Sequence, residues 1–203
     1  MGFLRSVFGP SRDEVWARLA EELRADFTAS SFWKGGRVEV RVGEWIITLD
    51  AYTVSTGKSS QTFTRMRAPY VNPEGFRFKV YREGFFSGIG KMLGMQDVVV
   101  GHPEFDRDFV IQGNSEERLR QLFDHPRIRE LIQAQPQVSF EVRDDEGWFG
   151  TRFPADVDQL VFTVSGVIKD VERLKLLFSL FAHTLNHLCH IGSAYEDDPE
   201  LRL

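Results

Sequence analysis

The stretch Asp97–Glu117, D-V-V-V-G-H-P-E-F-D-R-D-F-V-I-Q-G-N-S-E-E, constrains this chain more than any other. Read with a period of two, Phe105, Arg107, Phe109 and Ile111 point to one face of a strand, and Asp106, Asp108, Val110 and Gln112 to the other. Gly113-Asn114 breaks the strand. Asn114 is a good N-cap, and Glu117 stands three residues on, in the capping-box position. The segment therefore predicts a strand, a tight turn and a helix start in quick succession.

The flanking sequence supplies partners for that strand. Ser11 and Glu14 form a capping box, and Val15, Trp16, Leu19, Ala20, Leu23 and Phe27 recur at helical spacing, which predicts a helix over Arg12–Phe27. After Gly35-Gly36 the period changes to two. Strands are expected at 38–42, 45–54, 61–70 and 76–81, joined by turns that include Gly43-Glu44 and Asn72-Pro73-Glu74-Gly75. Beyond Asn114, Leu119, Leu122 and Phe123 predict a second helix. Pro126 restarts it, and Ile128, Leu131 and Ile132 continue the apolar face. Strands are expected again at 138–142, 148–153 and 160–164. The longest predicted element is a C-terminal helix over Asp170–Ile191, with Val171, Leu174, Leu177, Phe178, Phe181, Leu185 and Leu188 on a broad apolar face. Residues 1–10 read as an apolar N-terminal tail and 193–203 as an acidic, frayed C-terminal tail.

Composition bounds the function. With 42% hydrophobic residues and 18 phenylalanines, the chain can bury a large aromatic core. A net charge of −5 argues against general nucleic-acid binding, which needs a basic field to release counterions from phosphates. The single Cys189 excludes an internal disulfide and a cysteine-based zinc site, and suits a cytoplasmic location. No apolar run approaches the ~20 residues of a transmembrane helix. Gly84–Met95 contains Gly-Ile-Gly-Lys, but Phe85 and Met92 stand where a phosphate loop needs Gly and Ser or Thr. That stretch is expected to be a loop over the core, with peripheral membrane contact as a lesser alternative. G-x-S-x-G, a strand-borne G-x-G-x-x-G and C-x-x-C are missing, so no cofactor is expected.

Two groups of residues could carry chemistry. His102, Glu104, Asp106 and Asp108 form a candidate polar site, because paired carboxylates serve acid–base catalysis or hold a hard cation. On the C-terminal helix, His183 and His187 are spaced i,i+4 and could share a metal, though Thr184 replaces the glutamate of H-E-x-x-H. Leu176, Leu180 and Ile191 share that side, opposite the main apolar stripe. A helix apolar on both sides has something on both sides, so Leu176, Leu180, His183, His187 and Ile191 are expected to form a homodimer interface.

A weak internal repeat is also visible. Glu39-Val-Arg41 followed by Gly-Glu-Trp45 is similar to Glu141-Val-Arg143 followed by Glu-Gly-Trp148, which allows two pseudo-repeated halves meeting near residue 97.

The run Phe105-Asp-x-x-Phe109-x-Ile111-x-Gly113-Asn114, followed by a charged helix and a Leu/Phe-rich C-terminal helix, resembles a family of uncharacterised bacterial proteins with an F-D-x-x-F-x-I-x-G-N central motif. That resemblance implies a bacterial cytoplasmic protein and brings no catalytic residue. The element order argues for one α+β domain over 11–192: an antiparallel, meander-type curved sheet, a long C-terminal helix packed across it, an N-terminal helix and a central helix pair. The expected function is a non-enzymatic binding or self-assembly module. The alternatives are a metal-dependent or acid–base enzyme using Asp106 and Asp108 or His183 and His187, and a carrier of a small apolar ligand or lipid.

Overall fold

The computed structural model describes residues 9–29, 36–55, 57–82, 95–144, 153–197, 199 and 201. In chain order its elements are α1 (Arg12–Leu23), β1 (Asp26–Thr28), β2 (Arg37–Val42), β3 (Trp45–Ser55), β4 (Ser60–Val71), β5 (Phe78–Arg82), β6 (Gln96–Asp97), α2 (Pro103–Asp108), β7 (Phe109–Gly113), α3 (Glu116–Asp124), α4 (Pro126–Gln133), β8 (Ser139–Arg143), β9 (Val157–Ser165) and α5 (Val171–His190). The fold is α+β, and every strand pairing in the sheet is antiparallel. The apolar N-terminal tail, the glycine-rich stretch 84–94 and most of the strand expected at 148–153 lie outside the described residues. Among the described residues no helix is long and apolar enough to cross a membrane.

The sheet runs β1-β2-β3-β4-β9-β8-β5-β7-β6. Three of the four strands of the expected meander, β2, β3 and β4, are neighbours in order, and β1, from the end of the expected first helix, precedes them. The next strand in sequence, β5, does not continue it. β9 and β8 insert between β4 and β5, and β5 pairs with β7 and β8. The halves on either side of residue 97 are therefore interleaved in one sheet and do not form two subdomains.

The central segment departs from its predicted strand. Residues 103–108 form a helical turn and a half, and the strand begins only at Phe109. Phe105 and Phe109 are spaced i,i+4 as well as i,i+2+2, so the apolar pattern fits both periods, and Pro103 at the first helical position decides for the helix. Their rings pack with centroids 4.8 Å apart. The helix start also shifts by one residue. Ser115 caps α3, its Oγ accepting from Arg118 N–H. Asn114 instead ties β7 to the preceding turn: its side chain accepts from Arg77 N–H at 2.9 Å and donates to Gly75 O at 2.7 Å. The Ser11–Glu14 capping box is present on α1 in both directions, but α1 ends at Leu23. Arg24 adopts the left-handed conformation (φ 52°) and turns the chain into β1, which carries Phe27.

One face of the sheet is apolar. Val38, Leu49, Met66, Phe162, Phe140, Val80 and Ile111 line up across neighbouring strands and merge with the helices into a single core. Phe78 meets Phe123 and Phe140 edge-on at 5.9 and 5.6 Å, and Phe140 meets Phe181 at 5.6 Å. Such ring pairs contribute about 0.5–1.5 kcal/mol beyond area burial. The long helix α5 thus sits on the sheet through Phe181, with Asp170 as its N-cap. The start of the stretch expected to fray over 193–203 is docked instead: Ser193 and Ala194 are buried, and Tyr195 bridges to Val71.

Candidate functional site

The other face of the same sheet is polar, and its centre is buried. Strand register joins Asp26, Glu39, Thr48, Arg67, Val161, Glu141, Lys79, Gln112 and Asp97 into one row crossing every strand from β1 to β6. Val161 is the one apolar member, and it stands outside the hydrophobic core although it is 1% exposed. Around it Arg67 is 6% exposed, Lys79 2% and Glu141 2%. Thr48, Gln112, Gln159 and Thr163 are buried as well.

The charges on this face are paired across adjacent strands. Asp50 stands opposite Arg65 in the ladder. Arg65 grips it with both arms, Nε to Oδ1 at 2.9 Å and Nη2 to Oδ2 at 2.8 Å, and Arg67 Nη2 adds a contact to Oδ2 at 2.7 Å. Glu141 stands opposite Lys79. Its Oε1 accepts from Arg143 Nε at 2.9 Å, and its Oε2 lies 3.4 Å from Lys79 Nζ. Tyr52 stacks on Phe63 at 5.3 Å and lies under the Arg65 guanidinium at 4.9 Å. Burial pushes the Tyr52 hydroxyl above its ordinary pKa, against the pull of Arg65 and Arg143. Asp50, Arg65, Tyr52, Glu141 and Arg143 therefore form one electrostatic cluster. Such pairs contribute little net stability once desolvation is counted, and apolar residues of similar size are often as good or better.

The polar site expected at 102–108 does not assemble. Asp106 and Asp108 lie on a helix and not on one strand face. Asp106 turns inward and accepts backbone N–H groups from Val100, Gly101 and His102 at 2.8–2.9 Å, which fixes the loop before α2. Asp108 is engaged by Arg107 at 3.0 Å, with Arg82 at 4.0 Å. His102 and Glu104 do share a cavity of about 290 Å³ with Arg129 and Glu130. His102 Nε2 lies 2.9 Å from Arg129 Nη1 and 3.6 Å from Asp124.

The second side of α5 is partly covered within the chain. Leu180 is 0% exposed, while Leu176, His183, His187 and Ile191 are half-buried. α5 packs against α1, α3 and α4, and the corner between α3 and α4 faces the histidines. His125 at that corner lies 5.8 Å from His183 and 4.9 Å from His187, ring centre to ring centre, and His190 stacks on His187 at 5.6 Å. The expectation that Leu180 lies open for a second copy is thus corrected: it is buried in a single chain, and the α3–α4 corner meets His183 and His187 beside it. His187 Nε2 is 3.0 Å from Gln121 O. Among the described residues, no group of three or more His, Cys, Asp or Glu is placed to hold a metal ion.

Sequence reading missed a cavity at the Asn72–Gly75 turn. About 450 Å³ is lined by Asn72, Arg77, Asp144, Asp156 and Asp158, among others. Asp158, buried on β9, accepts from Asn72 Nδ2 at 2.6 Å and from Arg77 Nη2 at 3.4 Å. Burial holds its carboxyl above the ordinary range, against the pull of Asn72 and Arg77. In the sequence V-D-Q-L-V-F-T-V the aspartate stands beside other polar residues, and period alone does not reveal its partners.

Comparison with protein-family models, with curated proteins and with solved structures gives no match.

Proposed function

We propose that this chain is a non-enzymatic binding module, and that it binds through the polar face of its sheet. The observation that carries this reading is the burial of Arg67, Lys79 and Glu141 on the face turned away from the hydrophobic core. Folding alone gives no reason to keep ionised side chains there, because an apolar row would hold the sheet as well. Binding does give one. Polar side chains held rigidly by cross-strand partners are preorganised to recognise a polar group. Residence in a bacterial cytoplasm belongs to the same proposal and rests on the lone Cys189 and the motif resemblance at 105–114. Self-association through α5 is not part of it, since Leu180 is buried in a single copy.

Native mass spectrometry of untagged protein tests the reading. The expected result is a retained small molecule, lost in Lys79→Met. A bare mass for both proteins, after purification in volatile buffer from fresh lysate, would count against it.

A second reading is supported by the Asp158 cavity, where a buried carboxyl with a raised pKa stands beside an arginine, as in acid–base sites. Incubation with a cell metabolite extract checks it. Depletion of a compound by the wild type but not by Asp158→Asn would favour an enzyme.

A further inference from the structure

The cavity of about 450 Å³ at the Asn72–Gly75 turn is built where the ends of four strands meet. Asn72 follows β4, Arg77 precedes β5, Asp144 follows β8, and Asp156 and Asp158 open β9. Hydrogen bonds within the chain hold these residues in place. The Asn72 side chain accepts from Phe76 N–H at 3.2 Å and donates to Phe76 O at 3.0 Å and to Asp158 Oδ2 at 2.6 Å. The Asn72 N–H donates to Asp156 O at 2.7 Å, and the Arg77 N–H donates to Asn114 Oδ1 at 2.9 Å. A polar wall fixed in this way is preorganised for a ligand.

The wall keeps unused donors and acceptors side by side. Arg77 Nη1 meets Asp144 at 2.9 Å and Nη2 meets Asp158 Oδ1 at 3.4 Å, while its buried Nε has no partner among the described residues. That long contact is also the one hydrogen bond to Asp158 Oδ1 among the described residues, although Asp158 is 4% exposed. Asp156 is exposed, and its carboxylate makes no hydrogen bond or ion pair among the described residues. An anion entering here would meet three carboxylates. An ammonium only donates, and at Asp144 or Asp158 it would meet the Arg77 guanidinium as well. A hydroxyl donates and accepts, so it can serve a carboxylate and a guanidinium together. Phe153 and Pro154 line the same cavity and offer an apolar wall to the C–H face of a ring. The volume lies within the range of small-molecule sites.

We propose that this cavity binds a small neutral polyhydroxyl compound, a sugar or cyclic polyol, through Arg77, Asp144, Asp156 and Asp158. The proposal is independent of the sheet face. It names what the Asp158 cavity takes whether or not the bound molecule is turned over, so metabolite depletion tests the enzyme reading and direct binding tests this one. The experiment is a titration of isotope-labelled protein followed by amide chemical shifts, with D-glucose, D-ribose and myo-inositol as probes and putrescine and succinate as charged controls. Asp156→Gly and Asp144→Ala are the variants. Asp156 already holds a positive φ of 64°, which glycine adopts freely, and Asp144 is exposed, so both should fold. At least one polyol should bind at millimolar concentration or below and shift the amides of Asn72, Gly75 and Arg77. At least one variant should weaken that binding by about tenfold or more, as expected for a lost hydrogen bond to a charged group. No binding of any polyol would overturn the proposal. So would tighter binding of putrescine or succinate than of all three polyols, or polyol binding unchanged in both variants.

Discussion

The two faces of the sheet are built from the same strands, one residue out of step. Phe162 and Val161 are neighbours in β9. Phe162 joins Met66 and Phe140 in the core, while Val161 stands between Arg67 and Glu141. Both faces are buried at their centres, but only one is buried by an apolar helix layer that its sequence explains. Alternation tells which residues share a face. It does not tell whether the polar face meets water. In an antiparallel sheet the usual inference is polar out and solvated, and here that inference fails at Lys79 and Glu141.

The largest expected effect is on the apolar face. Phe162→Ala removes a ring at the centre of the core and should cost about 3–5 kcal/mol, read as a lower urea midpoint with the slope unchanged. A loss under about 1 kcal/mol would mean that the core is centred elsewhere and that the two faces are less different than their burial suggests.

The polar face should respond in a different way. Glu141→Gln leaves Lys79 buried without its counter-charge and should cost about 3 kcal/mol. The double change Lys79→Met with Glu141→Met removes the buried pair and leaves Arg143, which is partly exposed, to turn to water, so stability should be unchanged or raised by about 1–4 kcal/mol. A double variant as unstable as the single one would show that the pair is structural in its own right, and the functional argument for this face would lose its base.

The boundary between the faces is set partly by Asp106. Its three backbone acceptor bonds fix the loop that delivers Ile111 to the apolar face and Gln112 to the polar one. A slip of one residue would exchange them. Asp106→Ala should cost about 2–3 kcal/mol, since bonds to a charged acceptor contribute about 1.5–3 kcal/mol each when intact and the loop amides can turn in part to water. Hydrogen exchange at Val110–Gly113 should rise with it. Unchanged protection there would separate the loop from the register.

Much of this architecture could be read directly. The Ser11 box, the Pro126 restart and the long C-terminal helix each carry a local chemical signature, and each is found. What could not be read depends on distant partners. Nothing local tells that β8 and β9 separate β4 from β5, or that the α3–α4 corner meets His183 and His187. Phe105 and Phe109 satisfied both periods, so the strand assignment there had no local arbiter except Pro103. The candidate carboxylates were visible as charges but not as partners. Asp106 is committed to backbone amides, whereas Asp158, Lys79 and Glu141 look in sequence like ordinary polar positions.

The smallest expected effect belongs to the helix layer and serves as a control for the charged face. His125 meets His183 and His187, with His190 stacked beyond them, Arg129 and Asp124 nearby and His102 between those two. Burial first, then the neighbouring His187 and His183, then Arg129, hold the His125 imidazole below its ordinary pKa. In the unfolded chain it would titrate near 6.5. Between the depressed folded value and 6.5 the unfolded state therefore binds the proton more readily, so stability is complete above about pH 6.5 and declines as the pH falls through it. Urea midpoints at pH 7.5 and 5.5 should show this decline in the wild type and a shallower one in His125→Gln. Lys79→Met should retain the full decline, because its side chain lies on the opposite face of the sheet from the helix layer. An equal flattening in both variants would mean that the two faces titrate as one system, and the contrast between a helix-covered face and a separate charged face would fail at that point.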